Sequence, residues 1–186
     1  MELVYPVNIA PLAPGNKGVR EMLPVVDECG NVLARASRAW CHGGSRLLHP
    51  VVHLHVIDRY GRIYLQRRSS LKHTYPLMWD TAVGGHVSYG EYLLEALYRE
   101  AFEELRLSDF NPIPLGEYIY ESDTRRELVC MYAAVGHFAM LPDREEVAEG
   151  RWWDAPDILA SVGKGILAPT FEQEYLKVKD SLQALL

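Results

Sequence analysis

The chain has 186 residues, of which 48% are hydrophobic and 24% are charged, and its formal net charge is −6. This length is sufficient for one domain with a sizeable core. The negative charge argues against partners such as nucleic acids or membrane surfaces. Three scattered cysteines form no disulfide framework, and neither a signal peptide nor an apolar run of membrane-spanning length is visible. We therefore expect a cytoplasmic protein; its oligomeric state is not predicted.

In chain order, residues 1–20 are predicted to be a weakly structured leader because they contain several prolines, and residues 21–186 are predicted to form one domain. Turn residues at 27–31 separate two strand patterns and predict a hairpin. Thr170, followed by Gln173, resembles a capping box and predicts the start of the last helix. The predicted strands are 22–26, 32–36, 51–58, 63–66, 81–84, 116–121, 127–135 and 150–153, and the predicted helices are 91–107, 156–162 and 170–186. This mixture predicts an α/β layered domain.

The most informative segment is the predicted helix 91–107, which carries Glu100, Glu103 and Glu104. The i, i+3, i+4 spacing places three carboxylates on one side of the helix, where they repel each other unless a cation lies among them. A helical wheel places Glu104 within the apolar arc, so its carboxylate needs a partner at the edge of the core. The helix is therefore a candidate metal site, with a solvated acidic face as the alternative.

This segment resembles the Nudix box, whose pattern is G-x5-E-x7-R-E-U-x-E-E-x-G-U with U an apolar residue. The chain departs from the pattern at Arg106, where the family has a second glycine, and we expect the helix to end differently there. The resemblance implies an α/β/α sandwich around a mixed β-sheet and Mg²⁺ or Mn²⁺ as the cofactor. It assigns metal binding to the three glutamates with the Gly84 carbonyl, and a salt bridge to Arg99 and Glu91. The matching box positions are Gly85, Glu91, Arg99, Glu100, Glu103 and Glu104.

Outside the box, the chain resembles the Nudix branch that includes type 1 isopentenyl-diphosphate isomerase and its hydrolase-like relatives. That resemblance implies a further Zn²⁺ or Mn²⁺ site, although Arg125 stands where the isomerase has a second metal-binding glutamate. It also assigns diphosphate binding to Arg68 and Lys72. On residue type alone, His53 and His55 are interpreted as partly buried polar residues. The implied ligands of the histidine site are His42, His49, His86 and Glu127.

Two departures favour hydrolysis over isomerisation. The isomerase has a cysteine where this chain has Gly84, and isomerases lack the acid that is present here as Glu100. The sequence therefore predicts a Nudix pyrophosphohydrolase that acts on a small-molecule diphosphate, either a nucleoside diphosphate linked to another group or a nucleoside di- or triphosphate. Glu100 or a glutamate within residues 145–149 is predicted to be the general base. The alternatives are isopentenyl-diphosphate isomerase activity and a non-catalytic nucleotide-sensing module.

Overall fold

A computed structural model describes residues 21–186, so the predicted leader, residues 1–20, lies outside the described part of the chain. The strands are β1 (Met22–Val26), β2 (Val32–Ser37), β3 (Leu48–Ile57), β4 (Ile63–Arg68), β5 (Trp79–Asp80), β6 (Val83–His86), β7 (Ile113–Glu121), β8 (Arg126–Val135) and β9 (Val147–Trp153). The helices are α1 (Arg38–His42), α2 (Leu93–Leu105), α3 (Ala155–Ser161) and α4 (Pro169–Gln183). The fold is the expected α/β arrangement around a mixed sheet.

The central sheet has seven strands, and its main path runs β5-β4-β3-β8-β7. Strands β3 and β8 are parallel, whereas the other pairs are antiparallel. Strand β4 pairs with β9 along its whole length, whereas it pairs with β3 only at Val56 and Ile57 and further along pairs with β5. Strand β6 pairs with the part of β3 that β4 has left, from Val51 to Leu54. This exchange of partners brings β6 beside the middle of the sheet.

Side chains on the two faces of the sheet pack into two separate hydrophobic cores. One core packs α2 against the face that carries Val52, Leu54 and Val56. The other packs α4 against the opposite face, where Val51 and Ile57 contact it. Because side chains alternate along a strand, neighbouring residues of β6 point to different cores, and the strand can serve both faces.

Several sequence predictions are confirmed with shifted boundaries. The hairpin of β1 and β2 forms its own two-stranded sheet, and Cys29, Cys41 and Cys130 are free thiols. The predicted strand 81–84 is wrong at its start, since residues 81 and 82 lie between β5 and β6, and only residues 83 and 84 belong to a strand, β6. Helix α1 was not predicted; the hydroxyl of Ser37 accepts a hydrogen bond from the Trp40 amide and caps it. Within residues 21–186, no helix is long and apolar enough to cross a membrane.

Both predictions about helix ends need correction. Ala168, and not Thr170, occupies the N-cap of α4, because Pro169 starts the helix with its fixed backbone angle. At the end of α2, Arg106 has φ 55° and lies in the left-handed region. Glycine is the residue that most readily adopts this conformation at a helix end. The helix therefore ends with the backbone conformation expected of the family glycine, and the prediction that it ends differently at Arg106 is wrong.

Candidate functional site

The carboxylate of Glu104 lies in the interior, as the helical wheel predicts. The residue is 4% exposed, and its Oε2 accepts a hydrogen bond of 2.9 Å from Nε2 of Gln66. A second, longer bond of 3.3 Å comes from the amide of Gly84. Burial raises the pKa of Glu104 to about 8, a shift that the nearby positive charge of Lys72 reduces and the charge of Glu100 increases. Among residues 21–186, the carboxylate thus has hydrogen-bond donors but no cationic side chain in contact with it.

Glu100 lies directly against the β6 backbone. A Cβ atom added to Gly85 would come within 2.0 Å of the Glu100 Cδ atom, so a side chain cannot replace this glycine without displacing the carboxylate. Burial raises the pKa of Glu100, although the hydrogen bond from Arg99 opposes the shift. Glu103, in contrast, is an open carboxylate with 53% of its side chain exposed. The three glutamates therefore form a site that is buried at one end and open at the other.

Arg99 holds the segment before the helix to the helix itself. Its Nε and Nη2 donate to the two carboxylate oxygens of Glu91 at 2.8 and 2.9 Å, which is the predicted salt bridge in bidentate form. Its Nη2 also donates to the His86 carbonyl at 2.9 Å, and its Nη1 donates to Oε1 of Glu100 at 2.8 Å. Burial alone would raise the pKa of Glu91, but the bonds from Arg99 and the Ser88 amide lower it. One guanidinium thus positions β6 and the carboxylates together.

The two predicted diphosphate-binding cations are both paired with acids. Arg68 donates through Nη1 to Oδ2 of Asp80 at 3.0 Å and through Nε to the Thr74 carbonyl at 2.9 Å. Lys72 forms an ion pair with Glu146, which belongs to the acidic stretch predicted to contain a candidate base. The amide of Asp143 donates to the Glu104 carbonyl at 2.8 Å, so the loop that carries Glu146 is attached to the end of α2. Lys72 and this loop therefore border the carboxylate site.

The four predicted ligands of the histidine site come together on the α4-facing side of the sheet. One donor atom from each of His42, His49, His86 and Glu127 lies within 4.8 Å of the others. His49 and Glu127 are directly paired neighbours on β3 and β8, while α1 supplies His42 and β6 supplies His86. The Nε2 atoms of His42 and His86 are 2.8 Å apart. Residues that are far apart in sequence thus present a compact set of nitrogen and oxygen donors.

The buried His49 ring is oriented with its free nitrogen towards this cluster. Its Nδ1 donates to the Leu47 carbonyl at 2.9 Å, which leaves Nε2 without a proton. Within residues 21–186, this buried Nε2 has no hydrogen-bond partner, and it lies 3.9 Å from Oε1 of Glu127. Burial lowers the pKa of His49, as it does for His86, and lowers that of His42 to about 3. Neutral rings with an unused buried nitrogen suit a metal ion.

Arg125 occupies the edge of the histidine cluster. Its Nη1 donates to Oε1 of Glu127 at 3.0 Å. The isomerase pattern has a second metal-binding glutamate at position 125, so in this chain an arginine that binds Glu127 replaces that ligand. A cavity of about 450 Å³ adjoins the cluster, and both His42 and Arg125 line it. The set of donors is therefore three imidazoles and one carboxylate, a number and type that match tetrahedral Zn²⁺.

Sequence reasoning missed two features of the site. Gln66 provides the short hydrogen bond to Glu104, and nothing in its local sequence distinguishes it from other polar strand residues. The interpretation of His55 as partly buried is wrong, since the residue is fully buried and donates through Nε2 to Oε1 of Glu174 at 2.7 Å. The position of Glu174 on the apolar face of α4, between Phe171 and Tyr175, was a usable signal for a buried charge.

Comparisons with known proteins show which family the chain resembles. Residues 47–173 match the NUDIX domain family. A Yersinia pestis protein described as an uncharacterised Nudix hydrolase is 35% identical over 144 residues, which span 76% of this chain and 78% of that protein. An isopentenyl-diphosphate Delta-isomerase of Leifsonia xyli subsp. xyli is 33% identical over 151 residues, which span 77% and 82% of the two chains.

A crystal structure of a Deinococcus radiodurans protein has the same fold. Its TM-score is 0.67 at 26% identity, and the superposition covers 80% of this chain and 92% of that one. The relatives include both Nudix hydrolases and isopentenyl-diphosphate isomerases, and these are the members of the branch that the sequence resembles. With a family match over more than half of its length, the chain belongs to the Nudix family of pyrophosphohydrolases.

Proposed function

We propose that the protein hydrolyses a diphosphate bond in a nucleotide-type substrate with the help of Mg²⁺ or Mn²⁺. The substrate class is a nucleoside diphosphate linked to another group, or a nucleoside di- or triphosphate. The observation that carries the proposal is the pair of carboxylates Glu104, which is buried, and Glu100, whose side chain is 14% exposed; both have raised pKa values and lie next to the exposed Glu103. Such an arrangement costs stability unless a cation neutralises it, and functional sites are where such costs are expected.

Glu100, Glu103 and Glu104, with the Gly84 carbonyl, would hold the metal ions. A bound Mg²⁺ or Mn²⁺ neutralises phosphate charge and makes water a better nucleophile. Arg99 positions the carboxylates through its bonds to Glu91 and to β6. Arg68 and Lys72 would bind phosphate oxygens once the substrate competes with their acidic partners. The group that accepts the proton of the attacking water is Glu100 or one of the glutamates of the 145–149 loop.

Two observations favour hydrolysis over the alternatives. Gly84 provides no thiol where isomerases have a cysteine, and Glu100 completes the acid set that isomerases lack. A module that only senses a nucleotide has no need for Glu100, whose placement requires a glycine at position 85. The isomerase-like features that persist are the histidine cluster and its neighbours.

The histidine cluster fits a second metal, for which we propose Zn²⁺ or Mn²⁺. The support is the buried Nε2 of His49, which has no partner within the described residues and faces the cluster. Three neutral imidazoles and Glu127 supply four ligands. Zn²⁺ prefers four nitrogen and oxygen ligands in a tetrahedral arrangement, whereas Mn²⁺ favours more oxygen ligands. Since Arg125 occupies the place of a fifth ligand, Zn²⁺ is the better match.

The proposed activity is tested with a panel of nucleoside di- and triphosphates, nucleoside diphosphates linked to other groups, and isopentenyl diphosphate, assayed with Mg²⁺ and with Mn²⁺. We expect phosphate or nucleotide release from at least one nucleotide substrate. Glu103→Gln and Glu104→Gln should lower kcat at least about 100-fold, because each removes a charge that holds the metal.

Glu95→Gln is the matched control for these variants. Glu95 is on the exposed side of the same helix, and glutamine can keep its hydrogen bond to the Tyr92 amide. This variant should retain the wild-type rate. Tight nucleotide binding without turnover of any substrate would instead support a sensing module, and conversion of isopentenyl to dimethylallyl diphosphate would support an isomerase.

A further inference from the structure

A second cavity lies between the last strand, the short helix α3 and the loop that leads to α4. Its volume is about 500 Å³, which is within the range of small-molecule sites. None of the residues proposed to bind a metal ion or a diphosphate lines this cavity. The charged residues in its walls are Arg151, Asp154, Asp157 and Lys164. The cavity is therefore a candidate binding site that is separate from both proposed metal sites.

Arg151 is held in place by aromatic rings, and its hydrogen-bond donors are unused. The indoles of Trp79 and Trp153 pack edge to face, with ring centroids 5.2 Å apart and an interplanar angle of 70°. The guanidinium carbon of Arg151 lies 4.9 Å from the first centroid and 4.3 Å from the second. Such cation–π contacts use none of the N–H groups. Because these groups have no hydrogen-bond or ion-pair partner within residues 21–186, they are available to an anion.

A glycine-flanked turn presents Lys164 at the same cavity. The glycines on its two sides have φ values of 73° and 69°, a conformation that residues with a side chain rarely adopt. The Gly163 amide donates to Oε1 of Glu172 at 3.0 Å, and the Trp79 amide donates to the Ile166 carbonyl at 3.0 Å, so the turn is attached to α4 and β5. The Lys164 ammonium has no hydrogen-bond or ion-pair partner in the described part of the chain. Its backbone is therefore fixed while its charge remains available to a ligand.

The wall of the cavity also contains a buried donor without an acceptor. Trp153 lines the cavity and is 8% exposed, and its indole N–H has no hydrogen-bond partner among the described residues. Buried donors are nearly always satisfied in folded proteins, and an unsatisfied one lowers stability. A ligand oxygen in contact with this indole would supply the missing acceptor.

The two aspartates determine what else a ligand must carry. Asp154 precedes α3 and Asp157 is in its first turn, and neither side chain forms an ion pair with Arg151, Lys164 or any other residue within 21–186. The two carboxylates oppose the attraction that the two cations exert on an anion, so phosphate alone gains little. Hydroxyl groups avoid this conflict, because they donate hydrogen bonds to carboxylates. The four side chains therefore match a ligand that has both an anionic group and hydroxyl groups.

We propose that this cavity binds a phosphate monoester that carries hydroxyl groups, which is the chemistry shared by pentose phosphates and nucleoside monophosphates. Arg151 and Lys164 bind the phosphate oxygens through charge-assisted hydrogen bonds. Asp154 and Asp157 accept hydrogen bonds from the hydroxyl groups. Binding here requires no hydrolysis, although the nucleotide substrates proposed above would release monophosphates of this class.

The ligand class is tested by calorimetric titration without divalent metal ions, because the carboxylates of α2 then repel phosphate from the proposed catalytic site. Ribose 5-phosphate, adenosine 5′-monophosphate, inorganic phosphate and ribose are each added to the wild-type protein. We expect both monoesters to bind at least about tenfold more tightly than inorganic phosphate or ribose, since each of the latter lacks one half of the interactions. Inorganic phosphate that binds as tightly as ribose 5-phosphate would overturn the proposal, because the aspartates would then recognise no hydroxyl group.

The two monoesters distinguish the possible sources of the ligand. Tighter binding of the nucleotide identifies nucleoside monophosphates, and tighter binding of ribose 5-phosphate identifies sugar phosphates. Equal affinities show that the cavity recognises only the phosphate and hydroxyl groups that both compounds share. Each of these results supports the site, whereas no detectable binding of either monoester rejects it.

Variants of the two cations locate the binding site. Arg151→Gln and Lys164→Gln should each raise the Kd for ribose 5-phosphate at least about tenfold, because each removes a hydrogen bond from a charged group. Arg59→Gln is the matched control, since Arg59 also lies over an aromatic ring, 4.7 Å from the centroid of Tyr60, but outside the cavity. A melting temperature for each variant shows whether the fold is retained. Lys164 is exposed in a turn, so its variant remains informative if Arg151→Gln is unstable, and an unchanged Kd in folded Lys164→Gln would contradict the proposal.

The indole N–H signals give a second readout at the cavity itself. The chain has four tryptophans, and a ¹H–¹⁵N spectrum reports each indole N–H group. Ribose 5-phosphate should shift the signal of Trp153 and leave that of Trp40, which lies on α1 outside the cavity, unchanged. A Trp153 signal that stays unmoved while the ligand binds would reject the cavity as the site. Because neither measurement requires turnover, its failure leaves the proposed hydrolysis intact, and an inactive enzyme leaves the binding proposal intact.

Discussion

At the scale of single residues, the proposed metal site depends on two carboxylates, Glu100 and Glu104, that are shielded from solvent. Glu104 receives hydrogen bonds from Gln66 and the Gly84 amide, yet burial still raises its pKa to about 8. Glu100 is affected in the same direction. A divalent cation would favour the charged forms of both groups, since metal ligands must be deprotonated to bind. Metal binding and proton release should therefore be coupled at this helix.

The pH dependence of stability follows from the sign of this shift. The folded protein without metal holds the Glu104 proton more tightly than the unfolded chain, so this contribution is complete below the ordinary pKa of 4.5 and is lost as the pH rises through about 8. We expect the free energy of unfolding to fall over this range and Mg²⁺ to restore it. Denaturant unfolding at several pH values measures the effect. Glu104→Gln should flatten it, and an equally steep decline in that variant would contradict the assignment.

At the scale of elements, the C-terminal end of helix α2 has an unfavourable backbone conformation that lowers the stability of the folded protein. Arg106 adopts a left-handed conformation that an L-residue with a side chain adopts unfavourably. Its guanidinium compensates in part, with hydrogen bonds of 3.3 Å to the Phe102 carbonyl and to Asp143. Exposed contacts of this kind contribute little. The helix keeps its end point because the segment that follows buries Leu107 in the core.

Replacing Arg106 with glycine should therefore stabilise the protein. Relief of the left-handed conformation is worth about 1 kcal/mol, which corresponds to a rise of roughly 2–4 °C in Tm for a domain of this size. Arg106→Ala is the control, because it removes the same contacts and keeps the unfavourable conformation. If alanine stabilises as much as glycine, conformational relief is not the cause. Activity should be the same in all three proteins, since Arg106 forms no hydrogen bond or ion pair with Glu100, Glu103 or Glu104.

At the scale of the whole molecule, the histidine cluster connects elements that the sheet alone does not join. His42 comes from the segment after the β1–β2 hairpin, and the remaining donors come from β3, β6 and β8. A metal bound there would attach the hairpin region to the central sheet. Because the unfolded chain has no such arrangement of ligands, metal binding would add to the stability of the folded state.

Zn²⁺ should accordingly raise the Tm of metal-free protein, by an amount corresponding to about 2.7 kcal/mol when the free ion is at 100 times its Kd. His49→Asn should abolish this rise, because the amide can keep the bond to the Leu47 carbonyl while the Nε2 ligand is removed. The exposed His137→Asn variant is the control and should respond like the wild type. Metal analysis of the purified proteins gives an independent reading, and equal zinc content in His49→Asn and wild type would refute the site.

The sequence alone determined the features that depend on local spacing. The i, i+3, i+4 glutamates, the apolar arc that includes Glu104, and the hairpin around residues 27–31 all follow from periodicity and turn residues, and the structure contains them. The motif pattern likewise predicted the Glu91–Arg99 salt bridge. The start of α4 was predicted wrongly, because the fixed φ of Pro169 placed the N-cap at Ala168 and not at Thr170.

Only the tertiary structure decided which groups meet. The same helical-wheel reasoning that singled out Glu104 would also flag Glu174, yet it cannot name His53 and His55, whose ring nitrogens reach Glu174 from more than a hundred positions earlier in the chain. Gln66 beside Glu104 and Gly85 beside Glu100 are contacts of the same long-range kind. Local patterns show that a buried charge needs a partner, but the partner is chosen by strand register and helix docking, which no local pattern encodes.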